Sequence, residues 1–98
     1  MSLSVVIRPA AAAEVEAAYR WYEKEREGLG SEFLETVDKA LKVIAETPER
    51  FPVIRKDMRR AVLRRFPYSL FYRIVSGHVA LIACFHSKRN PKVWRSRR

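Results

Sequence analysis

The sequence predicts one two-layer α+β domain over residues 1–98: an N-terminal strand, an antiparallel helical hairpin packed on a mostly antiparallel four-stranded sheet, and a basic C-terminal tail. Three observations lead there. Apolar residues recur at helical spacing in the first half of the chain and alternate in the second. Glycine or proline stands at most of the junctions between those segments. With 98 residues, 48% of them hydrophobic, there is material for one packed core and no room for a second. The strands need a cover for their apolar face, and the helical hairpin is the only cover the chain offers.

Leu3 to Arg8 is short, β-branched and apolar, and reads as a strand ended by Pro9. Pro9 suits the first turn of a helix, where its missing N–H costs nothing. That helix runs to about Glu27, with Val15, Ala18, Tyr19 and Tyr22 on the inner face and Glu14, Glu16, Arg20, Glu23 and Lys24 on the outer one. Gly28-Leu29-Gly30 breaks it, and Ser31 is placed to cap a second helix with Glu32 in its first turn. Leu34, Val37, Leu41 and Ile44 line that helix until Thr47-Pro48 stops it. So short a link makes the pair antiparallel.

Beyond the connection Glu49 to Asp57 the period changes to two. Arg59 to Arg65 alternates around Ala61 and Leu63, and Phe66-Pro67 interrupts the strand. Tyr68 to Val75 places Tyr68, Leu70, Tyr72 and Ile74 on one face. Ser76-Gly77 makes a tight turn, and Val79 to His86 returns with Val79, Leu81, Ala83 and Phe85 on one face. The face turned away from the helices is left to solvent or a partner, with Arg60, Arg64, Arg73 and the tail near it or along its rim.

Charge divides the chain unequally. Residues 1–50 hold seven Lys or Arg against ten acids, whereas residues 51–98 hold thirteen against Asp57 alone, so the halves carry −3 and +12. Such a one-sided potential costs self-repulsion and points to an anionic client, either nucleic acid or an acidic protein segment. Cys84 is the single cysteine, which excludes an internal disulfide and a multi-thiolate metal site. No apolar run reaches the ~20 residues that span a bilayer, and no export signal is visible, so a cytoplasmic protein is expected.

Few residues of the basic half suit acid–base chemistry. His86 ends a strand with no adjacent carboxylate to orient it, and reads as a histidine that bonds the backbone; His78 flanks the turn. Neither has the partners for a metal site. Tyr68 and Tyr72 share a face as packing residues, and Trp21, off the apolar stripe of its helix, suits a partner or dimer contact. Trp94 reads as the anchor that holds Lys88, Arg89, Lys92, Arg95, Arg97 and Arg98 in a fixed display.

Two segments carry a family resemblance. Arg64-Arg65-Phe66-Pro67-Tyr68-Ser69-Leu70-Phe71-Tyr72-Arg73-Ile74, followed by Ala83-Cys84-Phe85-His86-Ser87-Lys88-Arg89-Asn90-Pro91-Lys92-Val93-Trp94, resembles the ParE branch of the ParE/RelE toxin superfamily. The R-F-P-Y entry to a strand and the H-x-x-R-x-P-x-x-W ending are its most specific parts. The resemblance implies the toxin of a bacterial type II toxin–antitoxin pair, of the kind often labelled plasmid stabilisation. ParE-like members inhibit DNA gyrase, and RelE-like members cut mRNA in the ribosomal A site. It also implies a cognate acidic antitoxin that folds around the toxin, in a hetero-oligomer or beside a toxin dimer, and no cofactor. Target and antitoxin contacts are then expected at Arg60, Arg64, Arg73, Lys88, Arg89, Lys92, Trp94 and Arg95. For ribonuclease chemistry Arg60 and Arg89 are the candidate catalytic residues. Against that chemistry, Ser69 stands where the ribonucleases commonly place an arginine, and Trp94 replaces a tyrosine with an indole N–H that cannot act as a base.

Overall fold

In the computed structural model of the chain, which describes residues 2–89 together with Lys92 and Arg97, the elements are β1 (Ser4–Ile7), α1 (Pro9–Glu25), α2 (Leu29–Glu46), β2 (Val53–Arg55), β3 (Met58–Val62), β4 (Tyr68–Val75) and β5 (His78–His86). One sheet carries all the strands in the order β1-β5-β4-β3-β2. β2 to β5 form an antiparallel meander, and β1 joins it in parallel beside β5. The helices cover one face, so the α+β architecture is as the sequence predicts.

The sheet has five strands rather than four. Val53–Arg55 falls in the stretch expected to be a plain connection, and pairs with β3 through a two-residue turn, Lys56-Asp57, in which Lys56 takes φ +52°. That turn carries no Gly or Asn, the residues that normally announce such a hairpin. A side chain helps to hold the segment in place: Arg59 Nη1 donates to the carbonyls of Glu49 at 3.0 Å and Phe51 at 2.6 Å.

α1 begins at Pro9 and runs through an alanine-rich first turn, burying Ala11, Ala18 and Tyr22. Glu23, expected on a solvated face, instead accepts the backbone N–H of Gly28 at 2.9 Å and of Gly30 at 3.0 Å. It thereby caps α2 in place of Ser31, which lies inside the helix. The cause is Gly28, whose φ of +87° turns the chain so that these amides face the end of α1.

Gly30 is buried against α1. A Cβ there would lie 2.6 Å from the Tyr19 carbonyl oxygen and 2.8 Å from Glu23 Oε1. Alanine normally gains about 1 kcal/mol over glycine inside a helix, but overpacking against a backbone oxygen costs about 1–3 kcal/mol. Gly30→Ala is therefore expected to destabilise the fold by up to about 2 kcal/mol, measured as a lowered urea midpoint.

Between helices and sheet lies an aromatic cluster. Phe33 is wholly buried, with its ring centroid 5.4 Å from Tyr22, 5.3 Å from Phe66 and 5.3 Å from Tyr68. The R-F-P-Y segment places two of these rings. Arg65 takes φ +72°, and the Phe66 N–H reaches back to the Arg64 carbonyl at 2.8 Å in a three-residue turn. β3 consequently ends at Val62 rather than Arg65. Arg65 pays for this turn by pairing with Glu32 of α2 and covering the Phe66 ring, 5.1 Å from its centroid.

β5 departs from simple alternation. Phe71 pairs with Ala83 but Tyr72 pairs with Leu81, so Ile82 is an extra residue opposite β4. Val79, Leu81 and Cys84 face the helices, while Ala80, Ile82, Ala83 and Phe85 face the other way. Ala83 and Phe85 are thus on the opposite face from the one strict alternation predicts, because a single inserted residue inverts the phase beyond it.

Candidate functional site

The back of the sheet, away from the helices, carries its own buried apolar cluster. Met58, Phe71, Ala80, Ile82, Ala83 and Phe85 are at most 6% exposed, with Ile54 and Val75 packed against them. This face, expected to be left to solvent or a partner, is largely buried, and basic side chains lie over one of its rings. The Arg89 and Arg97 guanidinium carbons stand 4.4 Å and 4.8 Å from the Phe85 ring centroid. Guanidinium over an aromatic face is favourable and shields the ring from water.

Pairing register places further arginines on the same side, since directly opposed residues share a face. Arg60 lies opposite Phe71, which pairs with Ala83; Val62 lies opposite Ser69, which pairs with Phe85. Arg73 lies opposite Ala80. Arg60 and Val62 are exposed, Val62 at 67%. The back face is therefore an apolar strip flanked by Arg60, Arg73, Arg89 and Arg97.

These arginines differ in their freedom. Arg73 makes a bidentate pair with Asp57, Nε to Oδ1 and Nη2 to Oδ2, both at 3.0 Å. The Arg73 guanidinium beside Asp57 holds that carboxyl below the usual carboxylate range. Asp57, the sole acid of the second half, is thereby occupied. Arg89 and Arg97 lean on Glu14. Arg60 and Arg64 are exposed and form no side-chain bond to a described residue. Lys88 is exposed in the turn after β5, and Lys92 is exposed in the following segment. Trp94 and Arg95 lie outside the described residues.

Glu14 was expected on the solvated face of α1, yet its side chain is only 15% exposed. Oε1 accepts the Cys84 N–H at 3.0 Å and Arg97 Nη1 at 2.9 Å. Nothing in the sequence distinguishes Glu14 from its solvated neighbour Glu16, because its partners lie 70 and 83 residues away.

On the helix side of the sheet lie Tyr68, which packs with Tyr22 and Phe33, and His86, which pairs with Tyr68. His86 Nδ1 accepts the Lys88 backbone N–H at 3.1 Å, and its ring packs on Tyr68 with centroids 5.2 Å apart. Burial raises the phenols of Tyr22, Tyr68 and Tyr72, which keeps them protonated. Ser69 is buried beneath the strip at 8% exposure. Among the described residues no three His, Cys, Asp or Glu side chains gather as a metal site.

Cys84 is buried among apolar neighbours, and burial together with the nearby Glu14 carboxylate pushes its thiol up to about 12. Since only the thiolate reacts, native protein at pH 8 is expected to resist a thiol-directed disulfide reagent and to react fully in urea. Prompt labelling of the native chain would contradict this burial.

Residues 5–91 match the family model described as ParE toxin of type II toxin–antitoxin system, parDE. Among solved structures the chain is similar to one titled "Chromosomal ParDE TA system from P. aeruginosa", with a TM-score of 0.77 at 17% identity, covering 87% of this chain and 96% of that one. At that identity the likeness is one of fold. No curated protein matches the chain.

Proposed function

The chain belongs to the family of ParE toxins of type II toxin–antitoxin systems, and we propose that it arrests bacterial growth by binding DNA gyrase, without catalysis of its own, until a cognate acidic antitoxin neutralises it. The observation that supports this reading is the back face: an apolar strip flanked by Arg60, Arg73, Arg89 and Arg97, with His86 on the helix side of the sheet, where it pairs with Tyr68. Such a surface docks an anionic partner through its arginines, with exposed Val62 as an apolar contact beside them. It needs no cofactor and acts in the cytoplasm. Among the described residues no helix is long and apolar enough to cross a membrane.

One observation favours a second reading. Arg60 and Arg89 share the back face, as they would in a ribosome-dependent mRNA endonuclease, where cations stabilise charge building on the phosphate. Induction in bacteria separates the two. A gyrase-directed toxin arrests growth with a DNA-damage response that overproduced gyrase relieves. Rapid loss of translation with cleaved transcripts, unrelieved by gyrase, would instead support the endonuclease.

A further inference from the structure

β5 has a strand neighbour on its β1 side only as far as Leu81, the register partner of Ile7, where β1 ends. Beyond it, backbone groups along that side of Ile82–His86 require other partners. Two side chains partner two of these groups: Glu14 Oε1 accepts the Cys84 N–H at 3.0 Å, and Arg97 Nη1 donates to the Ile82 carbonyl at 3.2 Å. The same two side chains meet each other at 2.9 Å, and Arg89 Nη1 approaches Glu14 Oε2 at 3.7 Å. Both guanidiniums lie over Phe85, the ring that the extra residue in β5 turns to the back face.

We propose that Glu14 is a positioning residue for the binding face: from α1 it fixes Arg89 and Arg97 on Phe85, so that the basic surface meets its anionic target already organised. This rests on the target-binding reading above. Charge makes an acid from the first half necessary, because the second half has only Asp57 and Arg73 holds it. Geometry makes the carboxylate suitable. Its two oxygens accept several charge-assisted bonds at once, and at 15% exposure it is poorly placed to trade them for water. An arginine held in place loses less freedom on binding than one on a loose segment, which favours the complex.

A purely structural Glu14 would serve only the Cys84 N–H, and Glu14→Gln separates the roles. Glutamine keeps a carbonyl acceptor for that N–H but lacks the charge that gathers two guanidiniums. Full-length wild type, Glu14→Gln, Arg97→Ala and the double variant are compared by thermal melting, by trypsin cleavage after Arg89 and Lys92, and by inhibition of purified gyrase. Glu14→Gln is expected to melt near wild type, to be cleaved about tenfold faster, and to need about tenfold more protein for half-inhibition. The double variant is expected to be no worse than the worse single, since the two residues act through one contact. Wild-type cleavage rates in Glu14→Gln would overturn the proposal, as would faster cleavage with unchanged inhibition. If Glu14→Gln fails to fold, Arg97→Ala decides by the same criteria, because it leaves Glu14 bonded to Cys84. Wild type that does not inhibit gyrase would sink the functional reading, and the cleavage rates would then decide whether Glu14 holds the arginines.

Discussion

Replacing Arg60 and Arg64 together by glutamate is expected to raise the concentration needed to half-inhibit gyrase supercoiling by about 100-fold or more, while the protein stays folded. Each loses a charge-assisted contact worth about 1.5–3 kcal/mol, and each 1.4 kcal/mol is about tenfold. Like-charge repulsion from an anionic target adds to the loss. Both side chains are exposed and bond no described residue, so their exchange should change stability by about 0.5 kcal/mol or less each. Unchanged inhibition by a folded double variant would remove these two arginines from the target contact. Glutamine at the same two positions should give an intermediate loss, because it deletes charge without reversing it.

Phe33→Ala is expected to cost about 3–5 kcal/mol of folding stability. That is a large share of the about 5–15 kcal/mol that holds a typical domain together. Phe33 is wholly buried and contacts Tyr22, Phe66 and Tyr68, so it joins α1, α2 and the R-F-P-Y turn in one cluster. Truncation leaves a cavity that a three-residue turn and three rings, Tyr22 packed edge to face on Phe66 and Tyr68, cannot collapse to fill. Phe33→Leu, which keeps most of the volume, should cost about 1.5 kcal/mol or less. Urea unfolding measures both. A Phe33→Ala midpoint near wild type would show that the cluster repacks freely.

The helices and the long hairpin were legible because their signals are local. Apolar spacing placed the inner faces of α1 and α2, Thr47-Pro48 ended α2, and Ser76-Gly77 marked the turn between β4 and β5, where both residues take positive φ. What the sequence hid depends on contacts distant along the chain or on a single inserted residue. β2 is three residues long, and its turn is Lys-Asp. The extra residue at Ile82 leaves no trace in a segment that is apolar on both faces, so alternation alone puts Ala83 and Phe85 on the side opposite to the one they occupy. The R-F-P-Y motif was recognised as a family mark, but only the structure shows its work as a turn that seats Phe66 and pairs Arg65 with Glu32.

The candidate site was legible as charge and not as geometry. Counting located the excess in residues 51–98 and put Arg60, Arg73 and Arg89 near the back of the sheet. It could not tell Arg73, tied to Asp57, from Arg60, which has no side-chain bond to a described residue. Nor could it find Glu14, whose acceptor role appears only when α1, the end of β5 and Arg97 are brought together.

The most direct test of a gyrase-binding toxin is titration of the purified chain against purified DNA gyrase in a supercoiling assay, beside a bacterial translation extract given the same concentrations. Supercoiling should fall as the chain is added, with translation maintained and the transcript intact. Undisturbed supercoiling together with transcripts cut at the ribosome would contradict the gyrase target and establish the catalytic one.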